Sequence, residues 1–97
     1  MKTIDIKAKE WFDKANGNSY FAAFIAIDYG MESEQRIFLP FQYGYGDQYE
    51  WESFKELQKI GLIPPEIKCY RAYFHENGIV LRSGIQRNCL KRDLVNI

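Results

Sequence analysis

The residues with the clearest chemical potential are Gly44-Tyr45-Gly46-Asp47, which open onto a helical pattern. Glycines ahead of a helix start let backbone amides cradle a phosphate. Here the loop holds no lysine, serine or threonine, and Asp47 and Glu50 compete for the same amides and repel an anion. A turn followed by a helix cap accounts for these residues better than a phosphate cradle. Around them runs an aromatic series, Phe38, Phe41, Tyr43, Tyr45, Tyr49, Trp51 and Phe54. Half or more of these rings are needed for the core. Tyr43, Tyr45 and Tyr49 flank flexible glycines and are expected to stay partly exposed. Exposed tyrosines give large contact area at small entropy cost, which suits a protein-binding surface.

Charge is unevenly placed along the chain. Thirteen basic residues balance thirteen acidic ones, so the formal net charge is zero. Yet residues 28–52 hold six acids (Asp28, Glu32, Glu34, Asp47, Glu50, Glu52) and one base, Arg36. Residues 66–97 hold six bases (Lys68, Arg71, Arg82, Arg87, Lys91, Arg92) against Glu66, Glu76 and Asp93. The acidic middle suits a basic partner surface, and the basic tail suits nucleic acid or an acidic partner.

Catalysis is not expected. His75, the one histidine, precedes a turn, and no serine or cysteine sits in an elbow motif. With Cys69 and Cys89 it supplies three metal ligands at no recognised spacing, so neither a metal nor a cofactor is expected. The two cysteines are too few for a disulfide scaffold and read as free, buried thiols in a reducing cytosol.

The elements that position these residues follow from length and periodicity. Ninety-seven residues, 46% hydrophobic and 27% charged, make one globular domain spanning 1–97. No segment approaches the roughly 20 apolar residues that cross a bilayer, and Met1–Lys7 lacks the apolar core of a signal peptide. A soluble protein of the cytoplasm, with no membrane partner, is the expectation. Residues 3–8 alternate as a half-buried strand, and Asn16-Gly17 marks a reversal. Residues 20–29 are apolar on both alternating faces. That fits a central strand covered on both sides, or one whose second face meets a partner such as a second copy. Residues 35–43 form a third strand in which Pro40 marks an edge or bulge.

A helix over 48–60 is the strongest single element. Asp47 and Glu50 form a capping box, and Trp51, Phe54, Leu57 and Ile60 form its apolar face. Gly61 stops it and Pro64-Pro65 prevent its resumption. Residues 67–75 and 79–82 read as a hairpin turning at Asn77-Gly78, and 84–92 as a short helix, with an extended strand as the rival. The result is an α+β domain with an antiparallel sheet of about five strands, in the order β-β-β-α-β-β, one main helix on one face and a possible short C-terminal helix.

The stretch Lys9-Glu10-Trp11-Phe12-Asp13-Lys14-Ala15-Asn16-Gly17-Asn18-Ser19-Tyr20, followed by Pro40-Phe41-Gln42-Tyr43-Gly44-Tyr45-Gly46-Asp47-Gln48-Tyr49, resembles small bacteriophage and prophage proteins of uncharacterised function. The likeness covers the first half of the chain. It implies a mobile-element origin and expression in a bacterial cytoplasm, and it carries over no catalytic residue. Phage proteins of this size often bind and block a host protein, including defence nucleases such as CRISPR effectors.

Together these readings predict a non-enzymatic binding protein, an inhibitor of a host or defence complex that makes contact through Tyr43, Tyr45, Asp47, Tyr49, Glu32 and Glu34. The first alternative is a nucleic-acid binder using Arg82, Arg87, Lys91 and Arg92. The second is an oligomeric sponge that captures a nucleotide signal between subunits.

Overall fold

In the computed structural model, which describes residues 1–95, the first three strands form the expected antiparallel meander. Alternation in β1 (Thr3–Asp13) buries Ile4, Ile6, Ala8 and Glu10 on one face. The chain reverses at Gly17, whose φ of 68° is the left-handed conformation that glycine adopts at little cost. β2 (Asn18–Ile27) then pairs with β1 so that Ile4 faces Ile27, Ile6 faces Ile25 and Ala8 faces Ala23. β3 (Gln35–Tyr43) pairs with β2 as an edge strand. Its register slips between Phe21 and Ala23, opposite Pro40 and Phe41, where the proline cannot donate to the ladder.

α1 (Gln48–Lys59) follows the expected bounds. It ends in a Schellman arrangement: Leu62 N–H donates to Leu57 O at 2.9 Å and Gly61 N–H to Gln58 O at 3.1 Å, with Gly61 at φ 85°. Its start departs from the predicted capping box. Asp47 makes no side-chain capping bond. Glu50 accepts instead from the Arg71 guanidinium at 2.6 Å and from the Ser83 hydroxyl at 3.1 Å. Trp51 and Ile60, assigned to the buried face, stand about half exposed, while Phe54 and Leu57 are buried.

The second half corrects the sequence reading. Residues 67–75 are not a strand: α2 (Tyr70–Glu76) occupies most of that segment. Asn77-Gly78 is not a hairpin turn. Gly78, at φ 66°, closes α2 in a second Schellman arrangement, with Ile79 N–H donating to Phe74 O at 2.8 Å. The same left-handed glycine serves a hairpin and a helix stop, so the dipeptide alone does not choose between them.

β4 (Val80–Gln86) then pairs with β1 in parallel, not with a hairpin partner. The sheet is therefore mixed and four-stranded, in the order β3-β2-β1-β4, where an antiparallel sheet of about five strands was expected. A parallel return needs a long crossover, and α1 and α2 provide it across one face. The final helix, α3 (Lys91–Val95), begins later than predicted, because residues 84–86 belong to β4.

The main core lies between the sheet and the crossover helices. It holds Ile4, Ile6, Phe21, Ile25 and Ile27 from the sheet, and Phe54, Leu57, Ile63, Tyr70 and Phe74 from the helical side. A smaller cluster sits on the opposite face, where Leu94 and Cys89 cover Ala22 beside Trp11, Tyr20 and Phe41. Cys89 is buried as expected, whereas Cys69 is exposed; both are free thiols.

Asp28 ties the end of β2 to the start of β1. Its carboxylate accepts from Lys2 N–H at 2.6 Å, Thr3 N–H at 3.1 Å and the Ser33 hydroxyl at 2.9 Å. The Lys2 and Thr3 amides, in that order, hold its carboxyl below the ordinary aspartate range. A depressed carboxylate stabilises the fold fully above its unfolded value of about 3.9, and that contribution is lost as pH falls through the folded value. Urea midpoints measured from pH 7 to pH 2 are therefore expected to decline below about pH 4. Asp28→Asn is expected to lower the neutral-pH midpoint and to make the decline shallower. An unchanged acid profile in that variant would remove Asp28 as a source of the dependence.

Candidate functional site

The two surfaces predicted from the sequence do not assemble as continuous patches. Tyr43 and Tyr45 are exposed, at 53% and 64%, with ring centroids 6.2 Å apart, and Asp47 is exposed nearby in sequence. Tyr49 is 6% exposed and belongs to the core, which corrects its reading as a partly exposed contact. Helical periodicity explains this, since Tyr49 lies four and eight positions before the buried Ser53 and Leu57 on the inward side of α1.

Glu32 and Glu34 precede the opposite end of β3, about 30 Å from Tyr43 along a strand rising about 3.3 Å per residue. Glu32 is exposed. Glu34 is committed within its own loop, where it accepts from Gly30 N–H at 2.9 Å and from Arg36 at 2.9 Å. The Gly30 amide first, then Arg36, draws its carboxyl below the usual range.

The four basic residues of the alternative reading are also dispersed. Arg82 pairs in two bonds with Asp5, at 2.7 and 3.0 Å, and Arg87 pairs with Glu10 at 3.0 Å. Lys91 stands over the rings of Trp11 and Phe41, 5.5 and 5.9 Å from their centroids, and so helps seat α3 on the sheet. Arg92 also lies on α3.

A different surface is built by the sheet itself. The helices α1 and α2 cover one face, and α3 covers only the end of the other near Trp11 and Tyr20. The remainder of that second face is open. Strand register places Gly84, Lys7, Phe24 and Phe38 in one row across all four strands. The neighbouring row is Arg82, Asp5, Ala26 and Arg36. Phe24 and Phe38 pack with ring centroids 5.1 Å apart, and Phe38 is 57% exposed. Beside them lies a trough of about 830 Å³ whose lining includes Lys7, Lys9, Phe24, Gly84 and the paired Asp5 and Arg82.

Gly84 makes the trough. It is exposed in mid-strand, and its backbone is not among the positive-φ glycines. A Cβ added there would meet nothing within 4 Å. Neither backbone conformation nor packing requires a glycine, although glycine in a strand costs roughly 0.5–1 kcal/mol relative to alanine. A strand-interior glycine of this kind often marks close approach by a ligand or another backbone.

Sequence reasoning missed this surface. Its signal was the isolated Gly84 between Arg82 and Gln86, together with Lys7 and Lys9 two residues apart in an alternating strand. The doubly apolar segment 20–29 was a second signal, because its second face is half covered by α3 and half open.

The grouping carries binding chemistry: cations, a tilted apolar ring pair and a backbone-floored recess. Across the sheet, Glu50 and Ser83 hydrogen-bond to each other on the helical side, and His75 lies exposed on α2. Among the described residues no three His, Cys, Asp or Glu side chains group to hold a metal ion, and no helix is long and apolar enough to cross a membrane. Compared with known proteins, the chain matches no family model, no curated protein and no solved structure.

Proposed function

We propose that this chain is a non-catalytic binding protein whose ligand docks on the open face of the sheet. The observation that carries the reading is Gly84, a glycine that nothing among the described residues requires, at the floor of a trough beside the exposed Phe38 ring. Blocking a host or defence complex is the form of this function that the phage resemblance favours.

Gly84→Val separates binding from folding. Valine suits an exposed strand position, so stability is expected to rise by about 0.5–1 kcal/mol. The side chain fills the trough, so ligand retention is expected to fall. Immobilised wild-type protein, Gly84→Val and Tyr45→Ala would each be exposed to bacterial lysate, with retained protein and nucleic acid identified. The expected result is a stoichiometric ligand on wild type and Tyr45→Ala that Gly84→Val loses. Equal retention by all three, or none by any, would refute the open face as the binding surface.

A further inference from the structure

We infer that the open face takes single-stranded nucleic acid, with the phosphodiester chain in the Gly84 trough and a base against Phe38. This deepens the reading of that face as a binding surface and rests on it. The first support is charge. In a chain of zero net charge, this face gathers Lys7, Lys9, Arg36 and Arg82 against Asp5 and Glu34. Arg82 and Arg36 are held by those carboxylates, whereas Lys7 and Lys9 have no ion pair among the described residues. They project from alternate positions of β1, about 6.6 Å apart, within reach of successive phosphates along one strand. A second copy of this face would bring like charges together, which disfavours self-association through it.

The second support is the aromatic row. Phe38 presents an exposed ring and Phe24 props it from the side at an interplanar angle of 56°. The pair begins about two strand spacings, roughly 10 Å, from Gly84, so a base can reach it from a backbone lying in the trough. A duplex keeps its bases stacked inside, so its base faces do not reach the rings, whereas an unpaired base can lie flat on an aromatic surface. An acidic protein would satisfy the lysines. A recess one side chain deep, floored by strand backbone, suits a thin chain of phosphates better than a packed protein surface.

The test is fluorescence anisotropy of the full chain with labelled 12-nucleotide oligo-dT and oligo-U, and a matching duplex, at 25–200 mM salt. Binding of either single strand is expected, with a log–log salt slope of about −1.4 for two phosphate contacts. Lys7→Ala and Lys9→Ala are each expected to reduce that slope by about 0.7. Phe38→Ala is expected to weaken binding roughly 5- to 160-fold while leaving the slope unchanged. Gly84→Val is expected to weaken binding while remaining folded. Preference for oligo-U over oligo-dT would identify RNA as the ligand, and the reverse would identify DNA.

No single-strand binding at 25 mM salt, equal or tighter binding of the duplex, or indifference to Phe38→Ala and Gly84→Val would overturn the inference. Retention from lysate of a protein that depends on Gly84, without oligonucleotide binding, would overturn it while leaving the open face as a binding surface. Light scattering that shows a dimer dissolved by Phe38→Glu would assign the face to a second copy and would also overturn it.

Discussion

Phe74→Ala is expected to lower stability by about 3–5 kcal/mol, the range for removing a large buried ring. Phe74 is buried on α2, with its ring 5.4 Å from Phe54 and 6.0 Å from Tyr73. Its carbonyl also accepts the Ile79 N–H at 2.8 Å that turns the chain toward β4. The ring thus anchors the crossover that makes the β1–β4 pairing parallel. A domain of this size has a total stability of about 5–15 kcal/mol, so the loss is a large share of the whole. The thermal midpoint would fall by roughly 12–40 °C. Urea and thermal denaturation followed by circular dichroism measure this directly. Phe38→Ala on the open face is the control, with an expected loss of about 0.2–1 kcal/mol for its cross-strand pair with Phe24. A loss below about 1 kcal/mol for Phe74→Ala would contradict the packed helix. It would revive the strand that the sequence suggests for residues 67–75.

Gly44→Val is expected to cost about 3 kcal/mol, at the upper end for overpacking a core. A Cβ at position 44 would lie 2.6 Å from Phe21 Cε1 and 3.0 Å from Gln48 Cδ. Phe21 is 1% exposed and set between the sheet and the helices, so its ring has nowhere to retreat. Gly44 also donates its N–H to Ser19 O at 3.1 Å, which fixes the loop against β2. Phe21→Leu in the same chain removes the obstructing ring edge. The double variant is expected to be more stable than the sum of the single effects by about 0.5–3 kcal/mol. Gly46 provides the contrast. It has φ 64° and open space around a Cβ, so Gly46→Ala is expected to cost only the left-handed strain of about 1–2 kcal/mol. A neutral Gly44→Val would show that the loop does not pack on Phe21. The two glycines that suggested a phosphate cradle therefore serve different ends, one making room for a ring and the other allowing a turn.

Local rules made half of the molecule legible. Alternation located β1 and β3, the Asn16-Gly17 reversal joined β1 to β2, and the apolar spacing with Gly61 delimited α1. Each depends on contacts within a few residues, where side-chain period and φ preference leave few choices. Pro40 announced the irregular edge for the same reason.

The second half depended on distant partners. A run rich in Tyr and Phe at 70–74 satisfies a strand or a short helix equally well, and α2 exists because Phe74 and Tyr70 bury their rings against Phe54. Once that segment is helical, Gly78 can only end it, and β4 is carried back to β1 as a parallel strand. The candidate site followed from the same choice. Lys7 and Gly84 are far apart in sequence and become neighbours only through the parallel register, while the antiparallel pairings of β1 with β2 and of β2 with β3 bring Phe24 and Phe38 into their row. Composition and period determined the class of fold and its first strands, because those are properties of neighbouring residues. Which side chains share the open face was decided by strand pairing across the whole chain, because the β1–β4 register joins residues such as Asp5 and Arg82, 77 positions apart, with no turn between the two strands to fix it.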